Sequence, residues 1–226
     1  MEQNVKVKLV SYSKPTEFFK DEGIVDAQEL IAYCARVSNP SNQMNTKTSE
    51  KLIKYLIKNA HWSPLEMVSA CLEIETTRDI ARQILRHRSF SFQEFSQRYA
   101  NPVDDLDFTI REARLQDEEN RQNSIETDDQ ELKDQWVDLQ NNVITTAKEA
   151  YLWAIDNGIA KEQARAVLPE GNTVSKLYMN GTIRSWIHYI QLRSDNGTQK
   201  EHMDIALACA EVINEIFPMG SELKAN

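Results

Sequence analysis

Residues 67–86 read MVSACLEIETTRDIARQILR and decide the fold, because the periodicity of their apolar side chains changes partway along. Apolar and polar residues alternate from Met67 to Thr76, as in a strand with one buried face. Thr77 is a suitable helix N-cap, and after it the apolar positions follow helical spacing as far as Arg86. A strand that runs directly into a helix predicts an α/β chain.

Patterns on both sides of this segment add one strand and several helices. We expect a strand at Val5–Ser11 and helices at Asp26–Arg36, Lys47–Asn59, Val143–Asp156, Ala160–Ala166, Thr182–Arg193 and Gln199–Ile216. The stretch 103–135 is acidic and lacks apolar periodicity, which is typical of a partly helical surface insertion. No repeat and no linker divides the chain, so we expect one domain over residues 1–226.

Composition restricts the class of protein. The net charge of −9 and the pI of about 5.1 disfavour nucleic acid as a partner, because nonspecific binders of that polyanion are normally basic. No apolar run approaches the roughly 20 residues that cross a bilayer, and the N-terminus lacks a signal-peptide core, so we expect no membrane association. The separated cysteines Cys34, Cys71 and Cys209 predict free thiols in a reducing compartment, the cytoplasm or, for a viral protein, the host-cell cytoplasm.

Residues 86–99, RHRSFSFQEFSQRY, carry the densest set of side chains suited to binding a ligand. Their arginines can hold a phosphate by forked hydrogen bonds, and Glu94 and Ser96 can serve a sugar or a base edge. Burying several arginines without anionic partners costs free energy, so we expect a ligand to bring the negative charge. A cation at a helix C-terminus is favourable by itself, but that does not explain Glu94, Ser96 and Arg98.

The order Arg86-His87-Arg88, seven residues, then Ser96-Gln97-Arg98-Tyr99 resembles the signature of the flavin-dependent thymidylate synthases. Three further blocks resemble the same family and occur in the same order along the chain. They are His61-Trp62-Ser63-Pro64-Leu65-Glu66, Ala164-Arg165-Ala166-Val167-Leu168-Pro169 and the helical stretch from Thr182 to Arg193. The resemblance covers the chain from about Glu29 to Phe217 and leaves out the acidic insertion.

The chain departs from the family pattern at individual positions. Met67 stands where the family usually has His, Thr182 replaces a common Asn, and Trp186 replaces a common Leu. Gln199 and Glu201 fall near the family's Ala-Gln-x-Glu turn. The replacement at residue 182 falls where the family pattern places a flavin contact.

The resemblance implies a fold and an activity. The fold is α/β, in the α+β sense, with a central mixed β-sheet flanked by long amphipathic helices. The activity is the reductive methylation of dUMP to dTMP, with 5,10-methylenetetrahydrofolate as carbon donor, FAD as hydride carrier and NADPH as reductant of the flavin. Sites of this family form from several subunits, which implies a homotetramer. The chain has six glycines and no G-x-G-x-x-G motif, so side chains and helix ends would hold the flavin.

The resemblance also assigns roles to individual residues. For dUMP it implies contacts from Gln83, Arg86, Glu94, Ser96, Gln97, Arg98, Arg165 and Arg193. For FAD and folate it implies contacts from His61, Ser63, Arg86, His87, Arg88, Glu94, Thr182, Arg184 and His188. Arg193 is the catalytic candidate, because a fixed guanidinium at the uracil O2/N3 edge would stabilise an ionised N3 and enrich C5 in electrons.

Other chemistry at these residues is disfavoured. Ser96 has no evident base partner, so we expect it to bind rather than to attack as a nucleophile. The four histidines are scattered along the sequence, and we expect no metal site.

Two other functions stay open at the level of sequence. The chain could be a non-catalytic nucleotide- or RNA-binding protein that uses the arginine cluster, although its acidic charge counts against that. It could also be a flavoprotein that acts on another pyrimidine nucleotide. Flavin absorption bands in the purified protein separate the first alternative from an enzyme, and a substrate test decides the second.

Overall fold

The structure, a computed structural model, describes residues 6–218. Its strands are β1 (Lys6–Tyr12), β2 (Ser69–Thr77), β3 (Ser91–Glu94), β4 (Arg114–Gln116), β5 (Ser124–Glu126) and β6 (Val174–Thr182). Its helices are α1 (Glu17–Asp21), α2 (Ala27–Ala35), α3 (Ser49–Lys58), α4 (Arg78–Ile84), α5 (Pro102–Asp105), α6 (Gln130–Asp156), α7 (Lys161–Ala164), α8 (Ile183–Arg193) and α9 (Lys200–Ile216). Short 3-10 turns lie at Pro40–Asn42, Ser63–Glu66 and Arg165–Val167.

A four-stranded sheet with the order β1-β2-β6-β3 forms the centre of the fold. The α/β class is confirmed, but the expectation of a mixed sheet is corrected, since each neighbouring pair in this sheet is antiparallel. The reason lies in the chain path. Strands β2 and β3 run in the same direction and are joined through α4, yet β6 inserts between them and pairs with both, so no parallel pair forms.

The alternating pattern of β2 is confirmed. Ala70, Leu72 and Ile74 are buried and face the main core with α8 and α9, whereas Glu73 on the other face forms ion pairs with lysines. The indole Nε1 of Trp186 in α8 donates to the carbonyl oxygen of Ala70 at 3.0 Å. The sheet therefore packs its apolar face on the helices that carry the C-terminal part of the family pattern.

The predicted helices are present with shifted ends. Helix α2 begins at the predicted cap, where the Asp26 carboxylate accepts from the Glu29 backbone N–H at 2.8 Å. Helix α4 ends at Ile84, two residues before the predicted Arg86, and α6 begins well before the predicted Val143. The first strand is confirmed for the residues described, while Val5 lies outside them. No helix between residues 6 and 218 is long and apolar enough to cross a membrane.

The acidic stretch 103–135 contains a hairpin that the sequence pattern did not predict, formed by β4 and β5. Asp117 closes its tip, because its carboxylate accepts from the backbone N–H groups of Glu119 and Asn120 at 2.9 and 3.0 Å. The tip is solvated, as expected, but Arg111 and Arg114 on the near side are largely buried against α9. The segment is therefore attached to the rest of the fold by buried charges.

Gly181, in β6, sits against the ring of Phe90, and a Cβ there would lie 2.6 Å from Phe90 Cε1. We expect Gly181→Ala to lower the free energy of unfolding by about 1–3 kcal/mol, the usual cost of overpacking a filled site. Urea unfolding monitored by circular dichroism measures the change. Gly197→Ala is the matched control, since no heavy atom of residues 6–218 lies within 4 Å of the added carbon. Equal stability of the two variants would contradict close packing at Gly181.

Candidate active site

The structure places the predicted site residues in three groups, each held by its own elements. The first group, at the junction of α4 with α8, is Gln83, Arg86, His87, Arg88 and Arg193. The second group, along β3 and near α7, is Glu94, Ser96, Gln97, Arg98 and Arg165. The third group, around the Ser63–Glu66 turn and the start of α8, is His61, Ser63, Thr182, Arg184 and His188.

In the first group, the Nε–H of Arg193 donates to Nε2 of His87 at 3.0 Å. Burial, aided by the charges of Arg193 and Arg86, lowers the pKa of His87 to about 4, so the ring is neutral at pH 7. Because its Nε2 accepts, the ring proton is on Nδ1. The terminal N–H groups of Arg193 bond to nothing else among residues 6–218, which leaves them for a ligand.

Arg86 and Arg88 lie in the turn that follows α4, and both are exposed. Neither makes an ion pair with any residue that the structure describes. The Ser185 hydroxyl of α8 donates to the Ser89 carbonyl oxygen at 3.1 Å, which attaches this turn to α8. The turn therefore presents two uncompensated cations on a backbone that is held in place.

In the second group, Glu94 is the central anion. Its Oε1 accepts from the hydroxyl of Ser175 at 2.8 Å and lies 3.6 Å from Arg78 Nη1, while its Oε2 lies 3.3 Å from Arg82 Nη1. None of Arg78, Arg82 and Ser175 was among the site residues predicted from the sequence. The Glu94 carboxylate is therefore already bonded to protein groups before any ligand binds.

Arg98 and Arg165 both contact the same residue, Glu162. Arg98 Nε is 3.3 Å from its carboxylate, and Arg165 Nε donates to its backbone oxygen at 3.3 Å. The Ser96 hydroxyl accepts a long 3.4 Å bond from the Arg98 N–H and has no base beside it among the described residues. Gln97 is buried, and its Nε2 has no partner within residues 6–218.

The third group combines an ion pair with packed aromatic rings. Arg184 Nη1 pairs with Glu66, and the His188 ring meets Trp62 edge-on at 4.4 Å between centroids. Partial burial, with the Arg184 charge, lowers the pKa of His188. The Thr182 hydroxyl accepts from the Ser185 N–H at 3.3 Å as the N-cap of α8, so it already has a structural role.

The exposed residues of the third group complete it at the surface. His61 and Ser63 are exposed, and the His61 ring packs edge-on against Tyr55 at 5.8 Å between centroids. Across residues 6–218, no hydrogen bond or ion pair joins a predicted residue of one group to a predicted residue of another.

Two clefts lie elsewhere on the chain. One, of about 780 Å³, is lined by the β4–β5 hairpin and the starts of α6 and α9, and the other, of about 570 Å³, lies between α2 and α3. Neither is lined by a predicted site residue. Within residues 6–218, no group of three or more His, Cys, Asp or Glu side chains is placed to hold a metal ion.

Comparisons with known proteins identify the family. The profile of the family described as thymidylate synthase complementing protein matches residues 23–219. The probable flavin-dependent thymidylate synthase of Paramecium bursaria Chlorella virus 1 is 49% identical over 214 residues, which cover 95% of this chain and 96% of that relative. The flavin-dependent thymidylate synthase of Synechocystis sp. is 49% identical over 212 residues, which cover 94% and 95%.

A solved structure agrees with these sequence relatives. The UMP/dUMP methylase PolB from Streptomyces cacaoi, bound with 5-Br dUMP, superposes with a TM-score of 0.80 at 26% identity, over 97% of this chain and 94% of that chain. The fold is thus that of a pyrimidine-nucleotide methylase. The chain belongs to the flavin-dependent thymidylate synthase family, which confirms the resemblance drawn from its motifs.

The buried histidines of this region predict how stability depends on pH. The pKa of His87 is about 4 and that of His202 about 3, mainly through burial, against an ordinary 6.5. Unfolding therefore takes up protons below pH 6.5, and the free energy of unfolding should fall as the pH drops from 6.5 towards 4. The slope approaches about 1.4 kcal/mol per pH unit for each histidine.

Urea titrations at pH 7.5, 6 and 5 measure this slope. His202→Asn removes one of the two most strongly shifted histidines and is expected to flatten the slope by up to about half over this range, since the pKa of His188 is also lowered. A wild-type stability that is constant from pH 7.5 to 5 would contradict the assignment of neutral rings in the folded state.

Proposed function

We propose that this protein converts dUMP to dTMP, with 5,10-methylenetetrahydrofolate as carbon donor, FAD as cofactor and NADPH as reductant, in the cytoplasm of its cell or host cell. The observation that carries the proposal is the turn after α4. It presents Arg86 and Arg88 without a counter-ion among the described residues, and the neutral ring of His87 stands between them in the sequence. Such a turn can bind anionic groups by forked hydrogen bonds, and nucleotides supply such groups.

The dUMP phosphate would be held by Arg98 and Arg165 of the second group, with Arg86 opposite. Glu162 supports this role, because it brings two guanidinium groups to one place while more than half of the Arg98 side chain, 57%, stays exposed. Among the described residues, the Ser96 hydroxyl makes one long hydrogen bond, and it can turn towards a phosphate or ribose oxygen. Gln97 is buried, and its amide nitrogen has no partner among residues 6–218, which favours a positioning contact to the nucleotide.

Arg193 would act at the pyrimidine. Its Nε is already used by His87, so its outer N–H edge can face O2 and N3 of the uracil ring. A guanidinium is planar and charged at any working pH, and it stabilises the negative charge that develops there when C5 becomes nucleophilic. His87 keeps the guanidinium in place because it stays neutral and accepts.

The residues present also fit a flavin dinucleotide. Arg86 and Arg88 can meet its pyrophosphate, and the edge-packed rings of Trp62 and His188 offer an aromatic surface beside Arg184. His61, Ser63 and Thr182 would complete the flavin and folate side of the site. When bound, FAD supplies the hydride, and the protein binds and orients the reactants.

We further propose that the site is completed by other copies of the chain in a homotetramer. An exposed apolar stripe on α6 supports subunit association. Leu132, Trp136, Leu139 and Val143 are exposed and follow the alternating spacing of four and three residues that forms a helix–helix seam.

The proposed activity is tested by NADPH oxidation that depends on dUMP and methylenetetrahydrofolate, with dTMP identified as product. Flavin absorption in the purified protein separates this enzyme from a nucleotide- or RNA-binding protein. Flavin binding with methylation of a different pyrimidine nucleotide would favour the second alternative. Absence of both flavin binding and methylation would end the proposal.

The role of Arg193 predicts a selective kinetic defect. We expect Arg193→Lys to lower the single-turnover rate of flavin oxidation by about a hundredfold or more, the scale for losing one preorganised donor. The dissociation constant of dUMP should change by less than tenfold, because the phosphate contacts remain. Arg121→Lys, on the exposed hairpin, is the matched control. A near-normal rate for Arg193→Lys would remove Arg193 from the chemistry.

The seam on α6 predicts the assembly state. Leu139→Glu should lower the molecular mass in solution, measured by light scattering, because a carboxylate would be buried without a partner in the interface. Asn141→Glu adds the same charge on the opposite side of the helix and should leave the mass unchanged. If both variants keep the wild-type mass, α6 is not the contact surface.

A further inference from the structure

A chain of hydrogen bonds runs through the interior beneath the first residue group. His202 of α9 has no exposed surface, and its ring lies between Tyr189 of α8 and Gln83 of α4. Its Nε2 is 3.2 Å from the Tyr189 hydroxyl, and its Nδ1 is 3.2 Å from Gln83 Oε1. The chain continues through Gln199 to Glu201, at 2.8 and 2.9 Å.

Glu201 determines which group donates and which accepts in each hydrogen bond along this series. Its carboxylate can only accept, since two arginines lower its pKa to about 2 against the opposing effect of burial. Gln199 must therefore donate to it with Nε2 and accept with Oε1 from Gln83 Nε2. Gln83 Oε1 is then left as an acceptor towards α9.

The direction fixes the protonation of His202. Because Gln83 presents an acceptor, the Nδ1 of His202 must carry the proton and donate. A charged ring is disfavoured, since burial, with the charge of Arg193 and the neighbouring His87, lowers the pKa of His202 to about 3. Its Nε2 is therefore a bare acceptor that takes the proton of the Tyr189 hydroxyl.

The consequence lies at Gln83, which belongs to the proposed dUMP site. An amide can turn by 180° and exchange its donor and acceptor ends at little cost in shape. Here both ends are engaged, so the orientation is fixed. Only one N–H and one lone pair of Gln83 remain for a ligand.

We propose that His202 is a positioning residue for dUMP, which acts by fixing the orientation of the Gln83 amide. This inference rests on the proposed function, because it takes dUMP to be the ligand of Gln83. His202 itself has no surface from which to touch the nucleotide. Glu201 fixes one end of the Gln83 amide through Gln199, and His202 holds the other.

The first test is made on the full-length protein without ligand. Nitrogen-15 labelling of its four histidines reports which ring nitrogen carries the proton, and His202→Asn assigns the signal. We expect His202 to be neutral, protonated on Nδ1, from pH 8 to pH 5. A ring protonated on Nε2, or one that becomes charged in this range, would overturn the proposal.

The second test measures dUMP affinity by calorimetry. His202→Leu removes the donor and should weaken binding about tenfold, the effect of one hydrogen bond. His202→Asn keeps an N–H near the position of Nδ1 and should bind within about threefold of wild type. Ile213→Val, buried in the same helix, controls for general loosening and should bind as wild type.

The outcomes separate the two proposals. A wild type that binds no dUMP would overturn the proposed function and this role with it. A wild type that binds dUMP, together with a folded His202→Leu of equal affinity, would overturn the role of His202 alone. If His202→Leu does not fold, the proposal is decided by the tautomer of His202 in the wild type and by the dUMP affinity of His202→Asn. A folded His202→Asn that binds dUMP ten times more weakly than wild type would contradict the proposal.

Discussion

The packing of helices α4 and α9 depends on one interaction, the ion pairs that the buried Glu201 carboxylate forms with two arginines. Only 7% of its side chain is exposed, and it lies between Arg111 and Arg114. Arg111 also binds Asp79 at 2.7 Å and the Gly171 carbonyl oxygen at 3.1 Å. Removing one member of such a cluster leaves buried charge uncompensated, at about 3–5 kcal/mol. The cluster thus ties the start of α4, the approach to β6 and the start of α9 together.

The sheet and this ion cluster together explain where the arginine-rich turn lies. Strand β2 leads into α4, and the chain must then pass over β6 to reach β3. The turn at Arg86–Ser89 makes that passage at the end of α4, beside α8. Since the cluster holds α4 against α9, the turn rests on fixed helices. Binding groups on a short loop between fixed elements lose little freedom when a ligand orders them.

Local patterns predicted the fold where local interactions decide it. The alternation of β2 and the cap at Asp26 are properties of neighbouring residues. Strand β6 was not predicted from the sequence. Its Asn180-Gly181 pair is typical of a turn, and the burial of the strand depends on pairing with two strands that are distant in sequence. The motifs supplied the predicted site residues. His202 gave only a weak signal, a polar residue on the apolar face of α9, since its partners lie far away in sequence.

The hairpin divides the acidic segment into a part that the fold needs and a part that it does not. Its tip, residues 117–123, satisfies its own polar groups through Asp117 and faces solvent. Arg114, a few residues earlier, is bonded to a buried anion. Protein engineers can therefore graft an affinity tag or a fluorophore at the tip. A variant with a shortened hairpin must keep Arg111 and Arg114, or must also replace Glu201, the buried anion that they neutralise.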